Sequence, residues 1–339
     1  RSMRVVAGTG RRKVGILETA VPIFGGFDFS SRRQQPQWAI VEELRKQYQV
    51  ERVSPSADYP EDLDVLIAAQ PASLPPDQVS GLTEYAAAGK PLLLLVDPMP
   101  SFNLNLAPTP LAMNPMMGTG GGQPGTDLRK LLDLLNIQWA PDRVAWDTYN
   151  PHPQLRDLPP EFIFVGAGNG APQPFHPEEA TTKGLQETVL LYPGTLRPGS
   201  AAVVEVTPLL TTGKNSGAIR FQQVVETMML CANPNARNRK PAAEPAALAL
   251  RVRGKGESKV NAAVIADIDL MGEQFFELRR RGIEGLNFDN VTFLLNLVDD
   301  LAGDESFIAL RSRRPRHRTL EALDDRTKVF EAQRLEQIE

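Results

Sequence analysis

Apolar runs alternate with amphipathic stretches along the first hundred residues of the chain. The run LLLLV (92–96) carries no polar residue, which is typical of a strand buried on both faces of a sheet. Between the runs, apolar residues recur at helical spacing, as Trp38, Val41, Leu44 and Tyr48 do. This alternation predicts an α/β fold with a doubly wound, mainly parallel sheet. The predicted strands are 13–19, 49–54, 62–71 and 90–98, and the predicted helices are 37–48 and 75–89.

The pattern continues with more loops after residue 98. Thr126 is a plausible N-cap for a helix over 126–135. SFIALRSR (306–313) is predicted as a last strand, and residues 319–339 as a charged helix. The other predicted elements are strands at 142–147 and 162–166, β-structure over 188–212 that forms a paired insertion, strands within 246–271, and a helix over 290–303 between Asp289 and Gly303.

These elements predict four segments. Residues 1–147 form a flavodoxin-like α/β core, and residues 148–245 a loop- and β-rich insertion or second subdomain. Residues 246–318 contribute further strands and a helix to the core. Residues 319–339 form the charged helix, which we expect to lead toward a membrane.

Composition excludes several classes of function. The 339 residues carry a net charge of −4, which gives no general attraction to nucleic acid. One cysteine, Cys231, excludes an internal disulfide and a cysteine-built zinc site, and three separated histidines do not favour a histidine-built one. Cys231 also lacks the tight turn that exposes a nucleophile, so we expect it to be a packing residue. No run of 18 apolar residues occurs.

Two basic or glycine-rich motifs do not define a site. GGGQPGT (120–126) resembles a phosphate loop, but threonine replaces the lysine and Asp127 follows it. RSRRPRHR (311–318) carries five arginines, which suit anionic headgroups or nucleic acid, but acidic residues follow immediately. Neither motif is therefore assigned a specific ligand.

Aspartates follow several apolar strands, and they are the strongest candidate chemistry. Asp97, Asp147, Asp267 and Asp269 each lie at or near a strand end, where some of them could converge and bind a hard cation. The alternative is that each carboxylate accepts nearby backbone N–H groups in an Asx turn. We favour this alternative, and we predict that Asp97 is structural.

The loops beyond the strand ends are the predicted partner or ligand surface, especially 20–36 and 98–125. Phe27, Asp28, Phe29 and Trp38 are the candidate binding residues of the first loop. Phe29 and Trp38 have an alternative role, which is to anchor the loop on the core.

A series of weak motifs in a specific order resembles the GldG family over nearly the whole chain. The motifs include GGFDFSSRRQQPQWAIVEELRKQYQVERV, EYAAAGKPLLLLVDP, LLYPGTLRP, AAVIADIDLM and FDNVTFLLNLVDDLAGDESFIALRSR. This family comprises extracytoplasmic auxiliary proteins of uncharacterised ABC transport systems, some of them linked to gliding motility. The resemblance implies a flavodoxin-like or glutamine-amidotransferase-like core, related to a domain of intraflagellar transport proteins. VDPMP stands where such a fold carries its cysteine nucleophile, which favours a non-catalytic descendant.

The resemblance predicts a non-catalytic binding and scaffold module, without a cofactor, in an ABC transporter complex. It implies a periplasmic or extracytoplasmic location, anchoring by membrane helices outside this segment, and permease and ATPase subunits as partners. A homo-oligomer, or a hetero-oligomer with a related extracytoplasmic protein, stays open, as does a role in motility. Two alternatives remain: a metal-dependent hydrolase that uses the strand-end aspartates, and a carbohydrate-binding module.

Overall fold

The computed structural model describes residues 11–28, 33–111, 124–229, 233, 237–282 and 286–311. The predictions for Phe29, Cys231 and the helix at 319–339 lie outside these residues, as do parts of GGGQPGT and RSRRPRHR. Among the described residues, no helix is both long and apolar enough to cross a bilayer.

The strands and helices of the described residues follow the predicted alternation over the first half of the chain. The strands are β1 (Lys13–Leu17), β2 (Gly26–Asp28), β3 (Arg33–Gln35), β4 (Gln49–Val53), β5 (Val65–Ala69), β6 (Leu92–Leu95), β7 (Ile137–Trp139), β8 (Arg143–Asp147), β9 (Phe162–Gly166), β10 (Glu187–Leu191), β11 (Leu196–Pro198), β12 (Val204–Thr211), β13 (Ser216–Arg220), β14 (Ala247–Gly254) and β15 (Asn261–Ile265). The α-helices are α1 (Ala39–Arg45), α2 (Pro76–Ala87), α3 (Arg129–Leu134), α4 (Phe221–Met229), α5 (Glu273–Arg281), α6 (Asn290–Leu301) and α7 (Ser306–Arg311).

A nine-stranded sheet forms the centre of the fold, in the order β4-β1-β5-β6-β15-β14-β11-β7, with β12 also paired to β14. The strands from β4 to β15 in this order are parallel. The strands β14, β11, β7 and β12 are joined by antiparallel pairing. The prediction of an α/β fold with a large, mostly parallel sheet is confirmed in this coarse form.

Helices cover both faces of the parallel strands because alternate residues of each strand point to opposite sides. In β6, Leu93 and Leu95 pack in the core that contains α1 and α6. Leu92 and Leu94 pack in the opposite core, with α2 and α3. All four leucines are fully buried, as the unbroken apolar run indicates. The two cores explain why this strand contains no polar position.

Smaller two-stranded sheets flank the central sheet. They pair β9 with β10, β8 with β13, and β2 with β3. The prediction that 188–212 forms one paired insertion is wrong, because β10 pairs with β9 whereas β12 pairs with β14. The strands β11 and β12, from segment 148–245, belong to the central sheet. The division into four segments stays a prediction.

Two local predictions are wrong. SFIALRSR is helical over Ser306–Arg311 because Asp304 binds the N–H and hydroxyl of Ser306 at the helix start, and only Ile308 is buried. Thr126 is not an N-cap: its hydroxyl donates to the Leu74 carbonyl, and α3 begins after Leu128.

Candidate functional site

Three of the four strand-end aspartates meet at the carboxyl edge of the parallel sheet. Asp97 follows β6 and Asp267 follows β15, and these strands are parallel neighbours with Leu95 opposite Ile265. Asp269 begins a short 3₁₀ helix directly after them. One carboxylate oxygen from each of the three residues lies within 4.8 Å of the others. We call Asp97, Asp267 and Asp269 the carboxylate cluster.

Asp97 uses both carboxylate oxygens to hold backbone. Its Oδ1 accepts the Met99 N–H at 2.7 Å, and its Oδ2 accepts the Ile268 N–H at 2.9 Å. The Gln70 side chain accepts the Asp97 N–H at 3.1 Å and donates to the Asp97 carbonyl at 2.8 Å. Burial, followed by the charge of Asp269, raises the pKa of Asp97 well above its usual range. The bond to the Met99 N–H is that of an Asx turn that ends the strand, and the bond to the Ile268 N–H ties this turn to the residues after β15.

The other two members of the cluster are held less completely. Asp267 accepts the Leu191 N–H at 2.8 Å with Oδ2, while its buried Oδ1 has no hydrogen-bond partner. Burial, followed by the charges of Asp97 and Asp269, raises the pKa of Asp267 well above its usual range. Asp269 accepts the Ser101 N–H at 2.7 Å, and burial raises its pKa to about 6.

The cluster has two chemical capacities. Carboxylate oxygens are the ligands that Mg²⁺ and Ca²⁺ prefer, so the type of donor fits a hard cation. Against this, both oxygens of Asp97 and one oxygen of each other aspartate already accept backbone N–H groups. Without a cation, the charges repel one another and the cluster retains protons instead. The hydrogen bonds therefore favour a structural role.

Asp147, the fourth strand-end aspartate, does not join the cluster. It ends β8, which pairs with β13 outside the central sheet. Its oxygens accept the Tyr149 N–H at 2.9 Å and the Gly213 N–H at 2.5 Å. Burial raises the pKa of this carboxyl. Asp147 ties its strand end to two turns.

A cleft of about 530 Å³ opens beside Asp269, beyond the ends of the parallel strands. Trp38 and Phe102 line it, with ring centroids 5.1 Å apart and planes at 89°. The loops predicted as a binding surface, 20–36 and 98–125, both contribute to its lining. The remaining lining residues are Pro22, Gln35, Pro36, Gln37, Ser101, Asn103, Asn105, Gly272, Glu273 and Gln274.

The predicted candidates of the first loop occupy different positions. Trp38, which is partly buried, lines the cleft and precedes α1. Phe27 and Asp28 lie in β2, opposite Gln34 and Arg33 of β3. Phe29 lies outside the described residues, and Trp38 is the candidate that the structure places in the cleft lining.

The sequence analysis missed Phe102 and Glu273. Phe102 is 40% exposed and lies in an irregular loop without periodicity. Its aromatic side chain was the sequence feature that could have indicated a binding residue. Glu273 accepts the Ala39 N–H at 3.1 Å and the Arg280 guanidinium at 2.9 Å, so it joins α5 to the start of α1. That contact links residues 234 positions apart and has no local signature.

Three solved structures are similar to this chain at low sequence identity, and the first of them supports the fold. The N-terminal domain of mmIFT52 matches at 12% identity with a TM-score of 0.51, and the match covers 85% of this chain and 97% of that one. A ThuA-like protein from Bacteroides uniformis matches at 12% identity with a TM-score of 0.38, over 86% and 92% of the two chains. The GH42 β-galactosidase Gan42B from G. stearothermophilus matches at 13% identity with a TM-score of 0.37, over 82% of this chain and 31% of that one.

Sequence comparison gives the family. No curated protein matches the chain. The model of a family described as an ABC-type uncharacterized transport system matches residues 11–297, which is most of the chain. The chain therefore belongs to this family of auxiliary proteins of ABC-type transport systems.

Proposed function

We propose that the chain is a non-catalytic binding and scaffold module on the extracytoplasmic side of an ABC transporter complex. The observation that carries the proposal is the cleft at the carboxyl edge of the sheet, where ligands of open α/β sheets bind. An aromatic pair, Trp38 and Phe102, lines it, whereas the nearby carboxylates are committed to backbone N–H groups. This arrangement suits recognition better than bond cleavage.

The family membership supports an accessory role beside a permease and an ATPase. We also propose two more specific assignments. The first is that the chain is similar to the GldG family, and the second is that its core is flavodoxin-like. The parallel strands with helices on both faces support the second of these. A role in motility has no separate support in the fold.

The ends of the described domain support an orientation in which the cleft faces away from the membrane. Arg12 precedes β1, and its guanidinium donates to the Ala302 carbonyl at the end of α6. Arg311 binds Asn296 at 2.8 Å and Asp299 at 2.6 Å on the same helix. Both ends therefore leave beside the amino edge of the sheet, a strand length of about 17 Å from the carboxyl edge. Anchors on these ends would leave the cleft free for a partner.

A co-purification experiment tests the proposal. Full-length protein is captured from a detergent extract of its native membrane, and permease and ATPase subunits are identified. Trp38→Ser with Phe102→Ser should reduce the recovered subunits at least tenfold, because two adjoining aromatic contacts are lost. The control, Val203→Ser with Met228→Ser, changes two exposed apolar residues outside the cleft and should behave as wild type. A folded cleft variant that recovers both subunits at the wild-type level contradicts the proposed site.

Two other functions each keep one supporting observation. The partnerless Oδ1 of Asp267 within the carboxylate cluster favours a metal-dependent hydrolase. Aromatic rings in a cleft, Trp38 and Phe102, favour a carbohydrate-binding module. The hydrolase would be supported if a divalent metal raised the thermal unfolding midpoint and Asp267→Asn abolished that rise. The carbohydrate-binding module would be supported if a neutral oligosaccharide bound saturably and Trp38→Ser abolished the binding.

A further inference from the structure

A second concave surface lies at the far edge of the central sheet, away from the cleft. Two cavities, of about 560 and 440 Å³, share the lining residues Thr195, Arg197, Ala218 and Ala242 and therefore form one continuous groove. The first cavity is lined by the cations Arg143, Arg197 and Lys240. Its other lining residues are Gln138, Trp139, Ala140, Thr195, Ala218 and Ala242, and none is acidic. We call it the cationic end of the groove.

The cations of this end are poorly neutralised. Arg143 approaches the adjacent Asp142 only at 3.9 Å, and Arg197 and Lys240 have no carboxylate partner among the described residues. Several arginines elsewhere are closely paired, as Arg239 is with Glu161 at 2.9 Å. A groove that gathers one weakly paired and two unpaired cations, in a chain of net charge −4, is complementary to an anion.

The ladder between β8 and β13 adds to this charge. Arg143 and Arg220 are directly opposite in the antiparallel pairing. Like charges at opposite positions of a sheet are destabilising, so this pairing costs stability unless an anion offsets it. Arg220 does not line the cavity, but its register places a further cation beside Arg143.

The groove walls combine strands with one irregular stretch, residues 240–246. Arg197 of β11 is opposite Gln138 of β7 at the end of the central sheet. The Ala145 N–H donates to the Pro193 carbonyl at 2.7 Å, which joins the sheet of β8 and β13 to the loop before β11. The Ala242 N–H donates to the Ser216 carbonyl at 2.8 Å and holds the third wall along β13. Two of the three cations therefore extend from strands, Arg143 from β8 and Arg197 from β11, and Lys240 extends from the irregular stretch beside β13.

The second cavity is mainly apolar. It continues from Arg197 and Ala218 between β11 and the stretch 242–247. Its apolar lining residues are Leu196, Pro198, Pro208, Ala218, Ala242, Ala243, Pro245, Ala246 and Ala247, and Glu244 also lines it. An alkyl chain in this cavity would lose contact with water, while its anionic head met the cations.

We propose that this groove binds an anionic amphiphile, with a phosphate or carboxylate head at Arg143, Arg197 and Lys240 and an alkyl chain along the apolar cavity. The site is separate from the cleft that carries the proposed function. Because its cations are exposed, binding weakens as salt is raised. Because the chain and the head occupy different cavities, both parts of the ligand are needed for full affinity.

Calorimetric titration of the 339-residue chain tests the proposal with three probes. Lauroyl-lysophosphatidylglycerol, below its micelle concentration, supplies head and chain, glycerol phosphate supplies the head alone, and lauroyl-lysophosphatidylcholine supplies the same chain with a zwitterionic head. The first probe should bind at least tenfold more tightly than either of the others. The proposal is overturned if the first probe does not bind. It is also overturned if glycerol phosphate or lauroyl-lysophosphatidylcholine binds as tightly as the first probe.

Variants then locate the site. Arg197→Gln with Lys240→Gln should weaken the first probe at least tenfold. Lys214→Gln with Arg279→Gln removes two exposed cations outside the groove and should change its binding less than twofold. Ala218→Leu fills the junction of the cavities and should weaken the first probe while glycerol phosphate binds as before. Thermal unfolding checks that each variant is folded. If folded Arg197→Gln with Lys240→Gln binds the first probe with wild-type affinity, the amphiphile binds elsewhere and the proposed site is refuted.

Discussion

Replacing Asp267 by asparagine is expected to stabilise the folded chain at neutral pH. The Asp267 Oδ2 accepts the Leu191 N–H at 2.8 Å, a bond that an amide oxygen preserves. Its Oδ1 is buried and has no partner, so no hydrogen bond is lost there. The substitution removes a fully buried charge that lies beside Asp97 and Asp269. The gain therefore comes from reduced repulsion and reduced desolvation.

The spacing of the cluster sets the magnitude. Two carboxylates within 4.8 Å repel by about 3.5 kcal/mol at an effective dielectric constant of about 20. Since the cluster can take up protons to relieve part of this repulsion, we expect a gain of about 1–3 kcal/mol in the free energy of unfolding at pH 7.5. The midpoint of thermal unfolding should rise by roughly 2–6 °C.

Asp97→Asn is the matched control because it removes the same charge from the same cluster. Both oxygens of Asp97 accept buried N–H groups, from Met99 and Ile268, and an amide has only one acceptor oxygen. One N–H is then left unpaired, which offsets the relief of charge, and we expect a net loss of about 1 kcal/mol. Asp97→Leu should cost more, because it removes both acceptors.

Urea unfolding at pH 7.5, with and without millimolar magnesium or calcium, measures these effects. Destabilisation of the chain by Asp267→Asn in the absence of metal would refute the inferred repulsion within the cluster. A metal site is indicated instead if the cation raises the wild-type midpoint and Asp267→Asn abolishes that rise. Such a cation would stabilise the wild type by about 2.7 kcal/mol at a hundred times its dissociation constant.

Three further outcomes are expected. The pKa of Asp269 is raised from 3.8 to about 6, so its stabilising contribution is present below pH 3.8 and is lost as pH rises to 6. The unfolding free energy of Asp269→Asn relative to wild type, from urea unfolding, should therefore increase by about 2 kcal/mol between pH 4 and pH 6. A constant difference would contradict this. Glu161→Ala should cost about 3–5 kcal/mol in the same assay, because Arg237 and Arg239 would lose their shared buried carboxylate; a loss under 1 kcal/mol would show the pair to be dispensable. Gly81→Ala, inside α2 with open space around the added methyl group, should raise the unfolding free energy by about 0.5–1 kcal/mol, and a decrease would contradict the helical assignment.

The parallel core was predictable because its signals are local. The run of four leucines in β6 must be buried on both faces, and the proline and glycine that bound α2 are ordinary helix boundary residues. The error at Ser306–Arg311 has a local cause too. Consecutive apolar residues resemble a short strand, whereas Asp304 and Ser306, which bind each other at the helix start, are the opposing helix signal.

The candidate site was only half predictable. The position of an aspartate after each apolar strand is visible in the sequence, but the adjacency of β6 and β15 is not, since about 170 residues separate Asp97 from Ile268. The same limit applies to the exclusion of Asp147, which depends on β8 pairing with β13 instead of joining the central sheet. Strand order is a property of the whole fold, and single-sequence patterns carry little information about it.

Hydrogen bonds join the carboxylate cluster to the cleft, which gives a reason for the chain to retain the costly carboxylate of Asp269. Asp269 accepts the Ser101 N–H, and Ser101 directly precedes Phe102 in the cleft. The side chain of Gln70, whose φ of 50° lies in the left-handed region, donates to the Leu106 carbonyl at 2.8 Å and to the Asp97 carbonyl. These bonds hold both ends of the stretch that presents Phe102. Removing the charge of Asp267 while keeping an acceptor for the Leu191 N–H should therefore increase stability and leave the cleft unchanged. Removing the acceptor at Asp269 should instead release the loop and weaken partner binding, even though the change lies behind the aromatic surface.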